Sequence, residues 1–403
     1  MSVLSGKKIL LGITAGIAAY KTASLVRLFI KLDADVKVIM TPASKDFITP
    51  LTLSTLSKNP VHSTFYDKED ENEVWNNHVD LGLWADYFLI APTTANTLSK
   101  MSNGTCDNLL LATYLSAKCP VYFAPAMDLD MYIHPSTKES LDTLHSFGNI
   151  LIPAASGELA SGLVGEGRMA EPQDIISFIE NDILSKLPLR GKKVLITAGP
   201  TYEAIDPVRF IGNYSSGKMG FALANAAANL GAEVILISGP SHQQVKHSFV
   251  KRIDVVSADE MYNEAHKYFN EVDIALLSAA VADYKPKNVA HQKIKKKDSS
   301  LAMELTPTKD ILASLGFIKK HQFLVGFALE TNNEIENAKS KLQRKNLDLI
   351  VLNSLQDKGA GFATNTNKIT IIDKNLNEKP FELKSKAAVA KDIINEIISR
   401  IKS

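Results

Sequence analysis

The apolar positions of this chain fall into short blocks separated by longer stretches with helical spacing, and that alternation begins twice. Residues 9–13 (ILLGI) form the first block, which reads as a strand covered on both faces of a parallel sheet. Ile17, Tyr20, Leu25, Leu28, Phe29 and Leu32 then recur with the period of a helix, and residues 35–40 make the next strand. Strands over 87–91 and 121–124 follow, with a helix over 108–117 between them, a strand-like 150–153 and a closing amphipathic helix over 171–187. Residues 192–197 (KKVLIT) restart the pattern. Strands over 233–238, 250–256, 273–279, 323–328, 347–352 and 368–372 alternate there with helices over 218–230, 258–270, 310–319, 333–345 and 385–401. Two βα series predict an α/β protein of two domains, 1–187 and 191–403, joined by residues 188–190, with a Rossmann-like sheet in the second.

Glycines and hydroxyls mark where these sheets hold ligands. Gly12, Thr14 and Gly16 sit in the first turn with GxxxG spacing rather than the GxGxxG of a dinucleotide site, and Thr41 follows the second strand where a ribose-binding carboxylate would stand. Thr93, Thr94 and Asn96 follow the next strand and cap a helix whose leading amides suit a phosphate. Each threonine alone is an ordinary cap. Together, past the carboxyl ends of parallel strands, they predict a phosphate-bearing cofactor without a second nucleotide, such as FMN. His78 lies in a polar segment before an apolar helix, and a single histidine is more often structural than catalytic. Residues 157–169 (GELASGLVGEGRM) read either as a surface loop or as a mobile flap over a ligand.

In the second half, Gly212, Gly217 and Lys218 match a P-loop, but Met219 stands where the magnesium hydroxyl should be. That excludes a Walker ATPase and leaves Ser215, Ser216, Gly217 and Lys218 as an anion-binding helix start. Asp283 follows a strand end, and Lys293, Lys295, Lys296 and Lys297 form a basic run, either a solvated loop or a triphosphate clamp. Lys341 and Lys345 share one helix face.

Bulk properties narrow the classes. A chain of 403 residues, 45% hydrophobic, can fill two cores. A net charge of +1 provides no global field for nucleic acid or an anionic membrane. Cys106 and Cys119, both read as lying in apolar surroundings, fit a reducing compartment, no apolar run reaches membrane-spanning length, and no signal-cleavage pattern follows the first strand. A cytoplasmic protein is expected.

The segments GITAGIAAYK, NHVDLGLWAD, APTTAN, PAMDLDM and SGELASGLVGEGRM in the first half stand in this order before TAGPTYEAIDPVRFIGNYSSGKMG, SAAVADY, KIKK and GFALETNN in the second. With them the chain resembles, along nearly its whole length, the bifunctional phosphopantothenoylcysteine decarboxylase and phosphopantothenate-cysteine ligase family of coenzyme A biosynthesis. The resemblance implies a flavodoxin-like first domain, of the homo-oligomeric flavin-containing cysteine decarboxylase type, that binds FMN and decarboxylates 4'-phosphopantothenoylcysteine. His78 matches the family's catalytic histidine. Met127 and Asp128 fall in its substrate-binding motif, with aspartate where asparagine is usual, and Ser161 replaces a proton-donating cysteine. An ionised Asp128 would repel a substrate carboxylate unless its pKa is raised or it points elsewhere. Serine is a weaker acid than a thiol, so completion of the reaction is expected to use Ser161 through water or another donor.

The resemblance further implies that the second domain activates 4'-phosphopantothenate with CTP and magnesium to an acyl-cytidylate, which cysteine then attacks. Asn213 and Lys293 match residues needed for that intermediate. Asp283, Lys293, Lys309, Asp310, Ile311, Leu312, Phe327, Lys341 and Lys345 match CTP contacts, and no metal ligand is assigned. Trimers of the first domain and dimers of the second are implied. Asp128 and Ser161 leave a second reading open, a flavin-binding regulatory or scaffolding protein with an active ligase and an impaired decarboxylase. An NAD oxidoreductase is disfavoured by the missing GxGxxG and ribose carboxylate.

Overall fold

Strand β1 (Lys8–Ile13) is buried from Ile9 onwards and lies at the centre of the first sheet, parallel to β2 (Asp35–Met40) on one side. The computed structural model describes residues 2–66, 75–159, 162–245, 247–295, 301–330, 332–354 and 365–401. The chain divides after Ser185 into two units.

In the first unit, β3 (Val61–His62) extends the sheet beyond β2, while β4 (Tyr87–Thr93), β5 (Val121–Pro125) and β6 (Ile150–Leu151) extend it beyond β1. The order 3-2-1-4-5-6 is that of dinucleotide folds, yet β3 is a stub of 2 residues. Without it the order is the 2-1-3-4-5 of flavodoxin, as the resemblance implies. Helices Thr22–Lys31 and Pro172–Ser185 bury Phe29, Ile175 and Ile179 on one face. Helix Leu109–Ser116 is buried from Leu109 to Tyr114 and packs on the other, with Phe88 and Phe123. Gly12 serves that packing: a Cβ there would stand 3.1 Å from Leu110 Cδ1 and 3.1 Å from Phe88 Cε2.

An antiparallel ribbon, β7 (Ala155–Glu158) and β8 (Val164–Arg168), occupies the glycine-rich stretch that reads as a loop or flap. The expectation of two apolar cysteines fails for Cys106, which is exposed; Cys119 is half-buried.

The second unit is built around β9 (Lys193–Ala198). A short ribbon, β10 (Tyr202–Ala204) and β11 (Phe210–Gly212), separates β9 from its helix, Lys218–Asn229. The sheet runs on through β12 (Glu233–Ser238), β13 (Val250–Asp254) and β14 (Ile274–Leu277). A second ribbon, β15 (Tyr284–Pro286) and β16 (Leu305–Pro307), precedes β17 (Phe323–Glu330), β18 (Leu349–Ser354), β19 (Thr366–Asp373) and β20 (Glu378–Ser385). Sheet order is β13-β12-β9-β14-β17-β18-β19-β20, with the first six strands parallel and the last two antiparallel. The 3-2-1-4-5-6 arrangement therefore occurs twice. Residues 188–190 do not behave as a linker: Leu189 is fully buried in the second core and its N–H donates to Leu230 O at 2.9 Å. Among the described residues no helix is long and apolar enough to cross a membrane.

Candidate active sites

In each sheet the chain leaves the central strand in one direction and returns to build the other half. The crevice at that switch point is where open α/β sheets hold ligands. In the first unit a cavity of 1010 Å³ opens there, reached by the segments following β1, β2, β4 and β5. Thr14 is buried; its Oγ1 donates to Pro92 O at 2.7 Å and accepts from Thr94 N at 3.2 Å, which ties the ends of β1 and β4 together. Thr41 Oγ1 is buried on the cavity wall without a hydrogen-bond partner among the described residues, an orphan that a ligand would satisfy. Thr94 caps helix Ala95–Ser102, and Asn96 and Gly16 line the same wall. Gly12 and Thr93 do not: Gly12 faces the helix behind the sheet, and Thr93 Oγ1 turns back to Ile90 O at 2.7 Å.

The ribbon forms the opposite wall. Met127 N donates to Gly167 O at 3.0 Å. Gly167 has φ +142°, and a Cβ on it would stand 2.5 Å from Met127 O, so only glycine lets the ribbon close on residues 127–128. Met127 and Asp128 both line the cavity; Asp128 caps helix Leu129–Ile133, accepting from Leu129 N at 2.8 Å. At the ribbon's foot Lys21, 5% exposed, donates to Met169 O at 3.0 Å and to Glu171 Oε1 at 2.9 Å. Lys21 holds the Glu171 carboxyl below the usual carboxylate range. Lys21, Lys100, Asn108, Glu158 and Arg168 line the cavity and are absent from the sequence-derived set. His78 is not among the cavity's lining residues. It begins helix His78–Trp84, its ring meets Phe65 edge-on at 6.1 Å, and its buried Nδ1 has no partner among the described residues. Ser161 lies outside the described residues.

In the second unit a cavity of 140 Å³ lies at the corresponding switch point. Ser215, Ser216, Gly217 and Lys218 line it, at the start of a helix whose leading amides have no intrahelical acceptor. Gly217 has φ +78°, the left-handed turn that aims those amides inward. Phe327, Asn353, Asn367 and Lys386 close the far side, and the buried Oδ1 atoms of Asn353 and Asn367 have no partner among the described residues. Burial, and then the neighbouring Lys218, hold the Lys386 ammonium below the usual lysine range.

Beside it is a charged shelf. Lys345 pairs with Asp310 at 2.7 Å, and Asp310 also caps helix Ile311–Ile318 by accepting from Ala313 N at 2.9 Å. Ile311 and Leu312 are buried beneath. Lys341 Nζ donates to Phe327 O at 2.8 Å; burial and then Lys345 lower its pKa, opposed by Glu330, Asp310 and Asp283. Lys309 sits over the Tyr262 ring at 4.7 Å. Asn213 donates its amide to Ala280 O at 3.0 Å and Val281 O at 3.2 Å, beside the cavity rather than in it. Lys293 is exposed on the loop after β15, while Lys296 and Lys297 lie outside the described residues.

A family profile described as DNA/pantothenate metabolism flavoprotein C-terminal domain matches residues 189–401, and one described as Flavoprotein matches residues 2–184. The protein named Coenzyme A biosynthesis bifunctional protein CoaBC from Bacillus subtilis (strain 168) is 43% identical over 397 residues, 98% of this chain and 97% of its own. Its namesake from Escherichia coli (strain K12) is 40% identical over 401 residues, 98% of each chain. A protein named Cysteine/Cysteine sulfinic acid decarboxylase, from an unknown prokaryotic organism, is 57% identical over 359 residues, 88% of this chain and 99% of its own. A crystal structure of the C-terminal domain of CoaBC is similar at 41% identity and a TM-score of 0.47, over 54% of this chain and 99% of that one.

Proposed function

The chain belongs to the family of bifunctional coenzyme A biosynthesis proteins, and we propose that it carries out both of the family's consecutive steps. The second unit joins cysteine to 4'-phosphopantothenate at the expense of CTP, and the first unit decarboxylates the product to 4'-phosphopantetheine. The observation that carries this reading is the pair of unlike cavities at equivalent switch points, one large and partly apolar, the other small and cationic.

The large cavity suits FMN. The orphan Thr41 hydroxyl, the Gly16 turn and the start of helix Ala95–Ser102 at Thr94 and Asn96 supply donors for its ring edge and phosphate. Bound there, the flavin would supply a reversible two-electron oxidation of the substrate thiol, which creates the electron sink an alkyl carboxylate needs before it can leave and is reversed once carbon dioxide is lost. Met127 and Asp128 then border the cysteine end of the substrate, and Ser161, through water or another donor, returns a proton. His78 is read as serving the cavity of a neighbouring copy in a trimer. Its absence from its own chain's cavity supports this, as do the exposed apolar neighbours Trp75, Val79 and Leu83.

In the ligase half, the helix start at Ser215–Lys218 and Lys386 neutralise phosphate oxygens, while the shelf of Asp283, Asp310, Lys341 and Lys345 takes the rest of the nucleotide. The substrate carboxylate displaces pyrophosphate from CTP; the cysteine amine then displaces CMP from the acyl-cytidylate. Asn213 and Lys293 act on the acylation step, which asks for positioning and charge neutralisation more than for a base. Among the described residues no group of three or more His, Cys, Asp or Glu could hold an ion, so magnesium is read as arriving on the triphosphate. Lys293→Ala should abolish exchange of pyrophosphate into CTP while carbon dioxide release from 4'-phosphopantothenoylcysteine continues. Unchanged exchange removes Lys293 from this role, and absent carbon dioxide release in the unmodified protein leaves the flavin-scaffold reading.

Asp128 and the relative named as a cysteine decarboxylase favour a second substrate for the first unit, free cysteine. A carboxylate that repels the carboxyl group of an amide-linked cysteine attracts the α-ammonium of the free amino acid. The products would be carbon dioxide and 2-aminoethanethiol, with no net redox change. Asp128→Asn should then lower kcat/KM for free cysteine and raise it for 4'-phosphopantothenoylcysteine; a parallel change in both removes this reading.

A further inference from the structure

Asn213 and Lys293 come from separate ribbons, and one carboxylate joins them. The Asp206 side chain is 0% exposed although it sits in a surface turn between β10 and β11. Its Oδ1 closes that turn, accepting from Val208 N at 2.8 Å and Arg209 N at 2.9 Å. Turn closure needs no more than this. Its Oδ2 accepts from Arg209 Nε at 3.0 Å, from Arg209 Nη2, and from Ile294 N at 3.1 Å. Arg209 Nη2 also donates to Ile294 O at 2.7 Å. The N–H and C=O of Ile294 are thus both held by a single Asp–Arg pair, and the residue before Ile294 is Lys293. Ala290 N donates to Ile205 O at 3.0 Å, a second tie between the same two segments. On the other side, β11 ends at Gly212, and Asn213 is anchored to Ala280 O and Val281 O beside the cavity.

We propose that Asp206 is a positioning residue for the ligation: with Arg209 it fixes the Lys293 loop relative to Asn213, so that an exposed, flexible lysine side chain starts from a fixed backbone. The proposal rests on the reading of Lys293 and Asn213 given above. The carboxylate is required because both oxygens accept, Oδ1 from the turn and Oδ2 from the arginine and Ile294. An asparagine has one acceptor oxygen and turns its amide donors towards N–H groups on the other side. The pair therefore breaks on one side whichever way the amide is placed.

The test compares Asp206→Asn and Asp206→Ala in the full chain with the unmodified protein. Pyrophosphate exchange into CTP should fall by about 100-fold, the scale of a misplaced reacting group, while CTP affinity, to which Lys293 is one contact among several, falls by no more than about tenfold. Trypsin should cut after Lys293 and Lys295 at least about tenfold faster, because the backbone there loses its protection. Carbon dioxide release from 4'-phosphopantothenoylcysteine, which belongs to the first unit, should not change, and retained CTP binding reports on the integrity of the second unit when Asp206→Ala folds poorly. Faster cleavage with undiminished exchange would show that the clamp exists but that Lys293 lacks its role. Slower exchange without faster cleavage, or with an equal loss of CTP affinity, would overturn the clamp itself.

Discussion

Lys341 carries its charge in a setting that opposes it. Burial and the nearby Lys345 both favour the neutral amine, and its Nζ is held by Phe327 O at 2.8 Å. Its pKa is depressed, so the proton is lost at a lower pH than from an ordinary lysine. A nucleotide phosphate binds the charged form and, once bound, raises the pKa again. KM for CTP should accordingly rise as pH increases through the depressed pKa, below the usual lysine range, and Lys341→Met should flatten that profile. A rise confined to the ordinary lysine range in the unmodified protein would argue against it. Lys341 and Lys345 were visible in sequence because helical spacing puts them on one face. Lys386, Asn353 and Asn367 were not, because they reach the cavity from the last strands and the terminal helix and carry no local motif. Thr14, Thr41 and Thr94 were legible for a different reason: the end of an apolar strand block fixes where the next residue points. Gly12 and Thr93 show the limit of that rule, since Gly12 faces the helix behind the sheet and the rotamer of Thr93 turns its hydroxyl away from the cavity.

Among the elements, the ribbon β7–β8 departs furthest from its sequence signature. Its residues show no apolar alternation because Gly165 and Gly167 stand against the Leu129 side chain and the Met127 carbonyl, where no side chain fits. Glycines there permit contact with residues 127–129 rather than looseness, which is why the stretch reads as a loop. Gly167→Ala would place a methyl group 2.5 Å from Met127 O at a backbone angle unsuited to alanine. The expected cost is about 1–3 kcal/mol in the first unit, seen as a lower midpoint in chemical unfolding and as loss of decarboxylation. Pyrophosphate exchange should persist. An unfolding midpoint and decarboxylation that both match the unmodified protein would mean that the ribbon does not need to close on the substrate loop. Strand β20 has no sequence signature for a related reason: as an edge strand it is exposed along nearly all of its length, so burial left no pattern in it. Helix Leu109–Ser116 is legible in sequence because it is buried all round from Leu109 to Tyr114 and therefore apolar on successive positions.

The whole chain uses one sheet order twice and gives each copy a different cavity. The strand–helix alternation that begins at residues 9–13 and again at 192–197 announces the duplication. The difference between the halves lies in the connections: β1 turns directly into its helix, whereas the β10–β11 ribbon intervenes after β9 and brings in Asn213 and Asp206. Short-range pattern could not reveal that the ribbon is tied to the lysine loop, because the tie links residues 206 and 294. Nor could it place His78, which does not line its own chain's cavity. If a neighbouring copy supplies it, co-expressing His78→Ala with Thr41→Trp, each inactive as a decarboxylase, should restore carbon dioxide release in mixed assemblies. No recovery in assemblies shown to be mixed would return His78 to a structural role.

Product analysis decides whether one chain runs ligation and decarboxylation in series. The protein, loaded with flavin, is given 4'-phosphopantothenate, cysteine, CTP and magnesium, and the mixture is followed by mass spectrometry. The expected products are 4'-phosphopantetheine with matching carbon dioxide, CMP and pyrophosphate, and only transient 4'-phosphopantothenoylcysteine. Accumulation of that amide without carbon dioxide, or CTP left unconsumed, would contradict it.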